Sequence, residues 1–128
     1  MDKVRQTAPN CRWCLSNALA GGDPAARNRS HFLMLKTASA SPSTMVIPFR
    51  HVETPFEFTA EEWSDLGIML AETKRRLAEF QPDGFTIGWN VGAAGGQHVL
   101  HAHMHVICRF KNETTAGLGL KDFLRPTE

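Results

Sequence analysis

The chain reads as one domain that mixes strands with a single long helix, in the order strand, strand, helix, strand, strand. Three observations carry that reading. An amphipathic stretch at about residues 60–80 repeats its apolar residues at helical spacing. Two segments after it alternate apolar and polar residues, which is the spacing of strands. Two short apolar runs precede it, each bounded by turn-forming residues. At 128 residues the chain suffices for one core and is too short for two.

Residues 1–29 are mixed and loop-like, and Ala20-Gly21-Gly22-Asp23-Pro24 breaks any regular element. Residues 31–35 (HFLML) form the first strand candidate. Residues 36–43 (KTASASPS) are small and polar and read as a turn. Residues 44–48 (TMVIP) form the second strand, closed by proline. Thr59-Ala60-Glu61-Glu62 fits a capping box at a helix start. Trp63, Leu66, Leu70, Leu77 and Phe80 then form one stripe facing a core. Lys74, Arg75 and Arg76 suit the negative end of the helix dipole, and Gln81-Pro82-Asp83-Gly84 ends the helix. In residues 85–91 (FTIGWNV), Phe85, Ile87 and Trp89 alternate with Thr86, Gly88 and Asn90, the pattern of a third strand. Residues 92–96 (GAAGG) connect it to a fourth, residues 99–107. The recognisable core spans about residues 11–110, and residues 111–128 are a tail of weak periodicity.

Composition excludes several classes. Hydrophobic residues make up 42% and charged residues 21%, ordinary for a globular protein. Net charge is +1, from 14 basic and 13 acidic residues, and no run of like charge exceeds Lys74-Arg75-Arg76. Charge therefore predicts neither a nucleic-acid nor a membrane surface. No apolar run approaches the roughly 20 residues of a membrane helix. The first residues, MDKVRQTAPNCRWC, lack a signal-type hydrophobic segment, so a cytoplasmic protein is expected. Cysteine usage agrees: Cys11-x-x-Cys14 plus a lone Cys108 is no disulfide framework, and the close pair is a metal or redox element.

The densest chemistry lies in HVLHAHMHVICR, residues 98–109, where four of the six histidines fall within eight residues. On a strand, His101, His103 and His105 share one face, and Leu100, Ala102, Met104 and Val106 share the other, which should meet the helix. At about 3.3 Å per residue, His101 and His105 lie about 13 Å apart at the backbone. A zinc–nitrogen bond is only about 2.0–2.1 Å, so one ion takes at most two neighbours of the row, and the three histidines have different tasks. A purely structural row is disfavoured, because partly charged imidazoles stacked in register weaken a sheet. Gly92, Gly95 and Gly96 either let backbone N–H groups converge on an anion or simply serve a hairpin loop that needs glycine. Asn90 and Gln97 offer side-chain donors nearby. A cradle of this kind beside imidazoles favours phosphorus chemistry, in which an imidazole attacks phosphorus and water cleaves the phosphoramidate formed.

His101-Ala102-His103-Met104-His105-Val106-Ile107 fits His-φ-His-φ-His-φ-φ, with φ apolar. With Asn90 and Gly95-Gly96-Gln97 before it and Cys108-Arg109 after it, the segment resembles the histidine triad (HIT) superfamily of nucleotide hydrolases and transferases. VIPFRHV, residues 46–52, is similar to that family's VIPKRHV segment. The resemblance implies an α+β, HIT-like fold, with an antiparallel sheet and one long helix, forming a homodimer joined across the sheet edge. It implies that His103 is the nucleophile toward the α-phosphate of a purine nucleotide or nucleotide conjugate. It further implies that His105 holds a phosphate oxygen, that Gln97 contacts the phosphate or leaving group, and that Asn90 lies beside it. In a branch of the superfamily two N-terminal cysteines bind zinc. The ligands here would be Cys11, Cys14, His51 and His101, a closed set typical of structural zinc.

The chain departs from the family pattern in the loop of residues 35–43. It has neither the usual acid that contacts the ribose nor the histidine before the second strand, where Ser43 stands. His98 occupies a position usually small and hydroxyl-bearing, and serves either as a further polar contact to substrate or as a narrowing of the site. The expected activity is hydrolysis of nucleoside phosphoramidates or dinucleoside polyphosphates through a nucleotidyl-histidine. The alternatives are a nucleotide-binding protein with little turnover, which the altered loop motivates, and a metalloenzyme that uses the histidine row. The histidine spacing argues against the latter. A thioredoxin-type role for Cys11 and Cys14 is weaker, since no helix evidently follows them.

Overall fold

A computed structural model describes residues 7–17, 22–38 and 40–124. Five strands, β1 (Ala26–Arg27), β2 (His31–Lys36), β3 (Ser43–Pro48), β4 (Gly84–Gly88) and β5 (Met104–Arg109), form one sheet in the order β1-β2-β3-β5-β4. Every neighbouring pair is antiparallel. One long helix, α1 (Ala60–Leu77), continues into a 3-10 turn at Ala78–Phe80. The α+β arrangement of one antiparallel sheet and one long helix is as expected. Among the described residues no helix is long and apolar enough to cross a membrane.

Alternation sets the two faces of the sheet. Leu33, Val46, Met104, Val106 and Cys108 point toward α1 and bury against Leu66, Met69 and Leu77. Phe32 and Ile47 point the other way and pack with Trp13 and Phe49. The capping box forms as predicted: the Glu62 amide donates to Thr59 Oγ1 at 3.1 Å, and the Thr59 amide donates to Glu62 Oε1 at 2.9 Å. At the other end Gln81 takes the left-handed conformation (φ 51°) and closes the 3-10 turn.

The core-facing stripe of α1 differs from the predicted one. Leu66 and Leu77 are buried, and Leu70 and Phe80 pack on the core, but Trp63 is 47% exposed. The buried stripe runs through Glu62, Asp65, Leu66, Met69, Thr73 and Leu77. Two carboxylates can face inward because arginines meet them there. Arg50 forks onto Glu62 at 3.1 and 2.8 Å. Arg29 meets Asp65 with two contacts of 3.2 Å, and the Ser30 hydroxyl also donates to Asp65.

Two strand boundaries also move. Pairing of β4 stops at Gly88 rather than 91, and β5 begins at Met104 rather than 99. Residues 99–103 follow a turn: the His101 amide bonds Val99 O at 2.9 Å, and the Ala102 amide bonds Val52 O at 2.7 Å. Their backbone partner is the segment after β3, not a neighbouring strand. Leu100 is accordingly 54% exposed instead of facing the helix. The two-residue β1 lies in the stretch read as loop, and carries no pattern that marks a strand.

Candidate functional site

The site lies where β3 ends, β5 begins and the N-terminal loop crosses. His51 follows β3, His101 sits on the turn before β5, and a turn-rich segment leading into a 3-10 helix (Leu15–Asn17) supplies Cys11 and Cys14. One donor atom from each of the four lies within 4.8 Å of the others. Cys14 Sγ is 3.2 Å from His51 Nδ1 and 3.5 Å from His101 Nδ1. Cys11 Sγ is 3.5 Å from His101 Nδ1, and the two Nδ1 atoms are 3.2 Å apart. Zinc bonds of about 2.3 Å to sulfur and 2.0–2.1 Å to nitrogen make tetrahedral edges of about 3.5 Å for S and N and about 3.3 Å for N and N. The observed separations match those edges, and the donor set is chemically suited, so the four residues fit a divalent metal. His101 Nε2–H donates to Pro48 O at 2.8 Å, which leaves Nδ1 unprotonated toward the cluster. Burial pushes the His101 pKa down to about 4, with His51 and His103 acting in the same direction against the Pro48 bond. Burial pushes the Cys14 thiol up to about 11, helped by Cys11 and opposed by the Ala8 amide. A cation reverses the latter effect by stabilising the thiolate.

His103 stands next to this cluster but outside it. Its Nδ1 lies 2.7 Å from His101 O. A carbonyl only accepts, so Nδ1 carries the proton and Nε2 carries the free lone pair. The His105 ring is 5.0 Å from the His103 ring, nearly edge-on. His105 is half-buried, and its pKa is lowered by that burial first, then by His103 and Lys36. The geometry gives the three histidines separate surroundings. His101 is fully buried among the sulfurs, while His103 and His105 line the sheet face away from α1.

Trp13 is a site residue that sequence reasoning missed. It is 7% exposed, and its ring lies 5.9 Å from that of His103. Its position between two cysteines is the only signal in the sequence, and that signal says nothing about the partner.

The glycine loop is a brace. Gly92 and Gly96 have φ of 74° and 94°, which favour glycine. The N–H groups of Gly95, Gly96 and Gln97 bond to carbonyls within the loop, and that of Gly92 bonds to Gln97 Oε1 at 2.9 Å. Gln97 is buried, and its Nε2 donates to Glu53 O at 2.6 Å and Val99 O at 3.1 Å. A Cβ on Gly96 would lie 3.6 Å from Asn90 Cγ and Oδ1, so the Asn90 side chain lies beside Gly96. Asn90 and His98 are exposed. Of the two readings of these glycines, the hydrogen bonds favour the structural loop.

A five-stranded antiparallel sheet with one helix, a histidine row at the start of a central strand and a cluster of two cysteines and two histidines beside it define a histidine-triad protein. A HIT domain model matches residues 26–112. The chain belongs to the HIT family. It is 34% identical over 108 residues to Protein hit of Bacillus subtilis (strain 168), covering 80% of this chain and 73% of that one. It spans between half and three fifths of three further HIT-like relatives. A HIT family protein of Bacillus anthracis superposes with a TM-score of 0.73 at 27% identity, covering 94% of this chain and 84% of the other. A HIT family hydrolase of Clostridium thermocellum shares the fold, with a TM-score of 0.66 at 18% identity over 84% of this chain and 96% of that one.

Proposed function

We propose that this chain is a HIT-type nucleotide hydrolase or transferase in which His103 is the nucleophile. Membership of the HIT family supports the class, and so does a fold neighbour described as a hydrolase. One observation carries the residue assignment. The bond from His103 Nδ1 to His101 O leaves Nε2 as a base with a fixed lone pair.

In this reading Nε2 attacks the α-phosphorus of a purine nucleotide conjugate. A phosphorus–nitrogen bond forms, and the bond from phosphorus to the leaving amine nitrogen or phosphate oxygen breaks. The leaving group keeps the electron pair and takes up a proton. Water then attacks the same phosphorus and loses a proton, the phosphorus–nitrogen bond breaks, and Nε2 regains its lone pair. His105 holds a non-bridging oxygen from the same face. Trp13 walls the His103 ring and excludes water from one side. Gln97 acts by holding the loop of residues 92–97 against the segment after β3, with Asn90, Gly96 and His98 at the outer rim.

Cys11, Cys14, His51 and His101 would hold the zinc ion. With four protein ligands it would supply fastening rather than an open coordination position. It would tie the N-terminal loop to the end of β3 and to the carbonyl that orients His103. We place the protein in a reducing compartment, where the thiols stay available, and as a homodimer joined at β4.

The test is hydrolysis of a fluorogenic adenosine phosphoramidate by the wild type and His103→Ala, with quenched intact-mass spectra. Turnover and a nucleotidyl adduct on the wild type alone are expected, with a loss in the variant of at least about 1,000-fold. Undiminished turnover by His103→Ala would falsify the mechanism. The internally bonded glycine loop and the acid-free 35–43 segment favour a second reading, a nucleotide-binding protein. Adenosine monophosphate binding by calorimetry, without turnover of any substrate offered, would establish that reading instead.

A further inference from the structure

We infer that Cys11 and Cys14 form a redox switch on His103: a peroxide joins them as a disulfide, expels the metal they hold and frees His103 from the contacts that orient it. This rests on the reading of Cys11, Cys14, His51 and His101 as a metal site.

The cysteine pair is placed to close. The Cys14 amide donates to Cys11 O at 3.3 Å, so residues 11–14 make one turn. The ends of such a turn lie within about 7 Å at Cα, and disulfides span about 4.4–6.8 Å, so the turn suits a disulfide with little backbone movement. The two Sγ atoms lie within 4.8 Å of each other and need only approach to about 2.05 Å. Access differs between them. Cys14 is 1% exposed, whereas Cys11 is only partly buried. Cys11 is thus the thiolate that a peroxide reaches. Its Sγ attacks one peroxide oxygen, the O–O bond breaks, hydroxide leaves and a sulfenic acid forms. The Cys14 thiolate then attacks Cys11 Sγ, the S–O bond breaks and a second hydroxide leaves. The two sulfurs give up two electrons, and the peroxide takes them. Neither sulfur keeps the thiolate that serves as a metal ligand, and two imidazoles alone are half of a tetrahedral set.

Two contacts carry the change to His103. The first is Trp13, which lies inside the turn with its ring 5.9 Å from that of His103. Its buried Nε1 has no hydrogen-bond partner among the described residues, so only packing holds the ring, and closing the turn around it re-aims it. The second is His101, whose carbonyl accepts from His103 Nδ1 at 2.7 Å. His101 Nδ1 faces both sulfurs at 3.5 Å, and loses them as partners when they bond to each other. Trp13 and His101 are therefore positioning residues whose hold on His103 depends on the reduced cysteines.

The experiment treats reduced, zinc-loaded protein with hydrogen peroxide. Zinc release is read with a chromogenic chelator, the disulfide by intact mass and peptide mapping, and the His103 tautomer by nitrogen-15 NMR, assigned from His103→Gln. Peroxide should remove two hydrogens in a disulfide between Cys11 and Cys14, release the zinc and abolish the single Nδ1–H tautomer of His103. Turnover of an adenosine phosphoramidate should fall about a hundredfold, the scale of a reacting group displaced by about 1 Å. Dithiothreitol with zinc should reverse every change, which oxidation of methionine would not allow. Cys108→Ala should respond as the wild type does, because Cys108 is fully buried under α1. Zinc retained under peroxide, or a disulfide that leaves the His103 tautomer unchanged, overturns the inference, as does a reduced protein that binds no zinc. If the reduced wild type turns nothing over, the hydrolase reading fails, and the His103 tautomer still decides on the switch.

Discussion

Histidines 101, 103 and 105 are two apart in sequence and have three different surroundings. The alternation was legible from Met104 onward, where Met104, Val106 and Cys108 are buried under α1 as the pattern requires. The position of His101 was not legible, because the backbone around it bonds to Val52, 50 residues away. The cluster of two cysteines and two histidines has the same character. Cys11-x-x-Cys14 is a local signal, but its convergence with His51 and His101 is long-range, and only the family resemblance brought it into view. His31 illustrates a further limit. It reads as the first residue of a strand, yet it is fully buried and neither ring nitrogen has a hydrogen-bond partner among the described residues. It faces Phe58, with the Glu62 and Asp65 charges nearby. Burial pushes its pKa down to about 4 against the pull of those carboxylates. In the unfolded chain the ordinary value is about 6.5. Between these two values the unfolded state binds the extra proton, so stability falls as pH drops from about 6.5 to about 4 and is unaffected by His31 above that window. Urea unfolding at pH 7.5 and pH 4.5 checks this. His31→Leu should lose less stability across the window than the wild type, by roughly 2–3 kcal/mol. Parallel losses in the two proteins would show that His31 titrates normally.

At the scale of elements, α1 was legible in its start, its end and its length. The capping box Thr59–Glu62, the basic last turn and Gln81-Pro82 all mark it locally. Which stripe it buries was only half legible. Hydrophobicity alone ranks Trp63 above Glu62 as a core residue, and it cannot foresee that Arg50 arrives from the end of β3 to neutralise Glu62. The Glu62 and Arg50 side chains are 4% and 15% exposed, so this pair is largely desolvated. Glu62→Ala strands the guanidinium and breaks the capping box together, and should cost about 3–5 kcal/mol. Glu72, which meets Arg75 and Arg76 on the solvent side of the same helix, is the control. Glu72→Ala should leave the urea midpoint almost unmoved. Equal shifts in the two variants would mean that the inward-facing carboxylate is not the anchor of α1 against the sheet.

At the scale of the molecule, the two edges of the sheet are unequal. One edge is β1, only two residues long and so blunted against pairing. The other is β4, whose outer side has no strand beside it among the described residues. Ile87, one of the apolar residues of the alternating stretch 85–91, is 40% exposed. Beside it, Leu70, Lys74, Phe85 and Ile87 line a groove of about 440 Å3 between β4 and α1, and Ile68 is 62% exposed on the same helix. An edge strand next to exposed apolar side chains suits a second copy that pairs β4 with β4. Such an interface is isologous, so one substitution strikes it from both sides. Light scattering coupled to gel filtration should give about twice the chain mass of 14.2 kDa for the wild type and about one chain mass for Ile87→Asp, whose carboxylate would be trapped against Phe85 and its symmetry mate. Far-UV circular dichroism should remain unchanged, because Ile87 lies on an edge strand and helps to bury none of the α1 core. A wild type that runs as one chain mass at tens of micromolar would remove the β4 interface. The open edge would then call for a different cover.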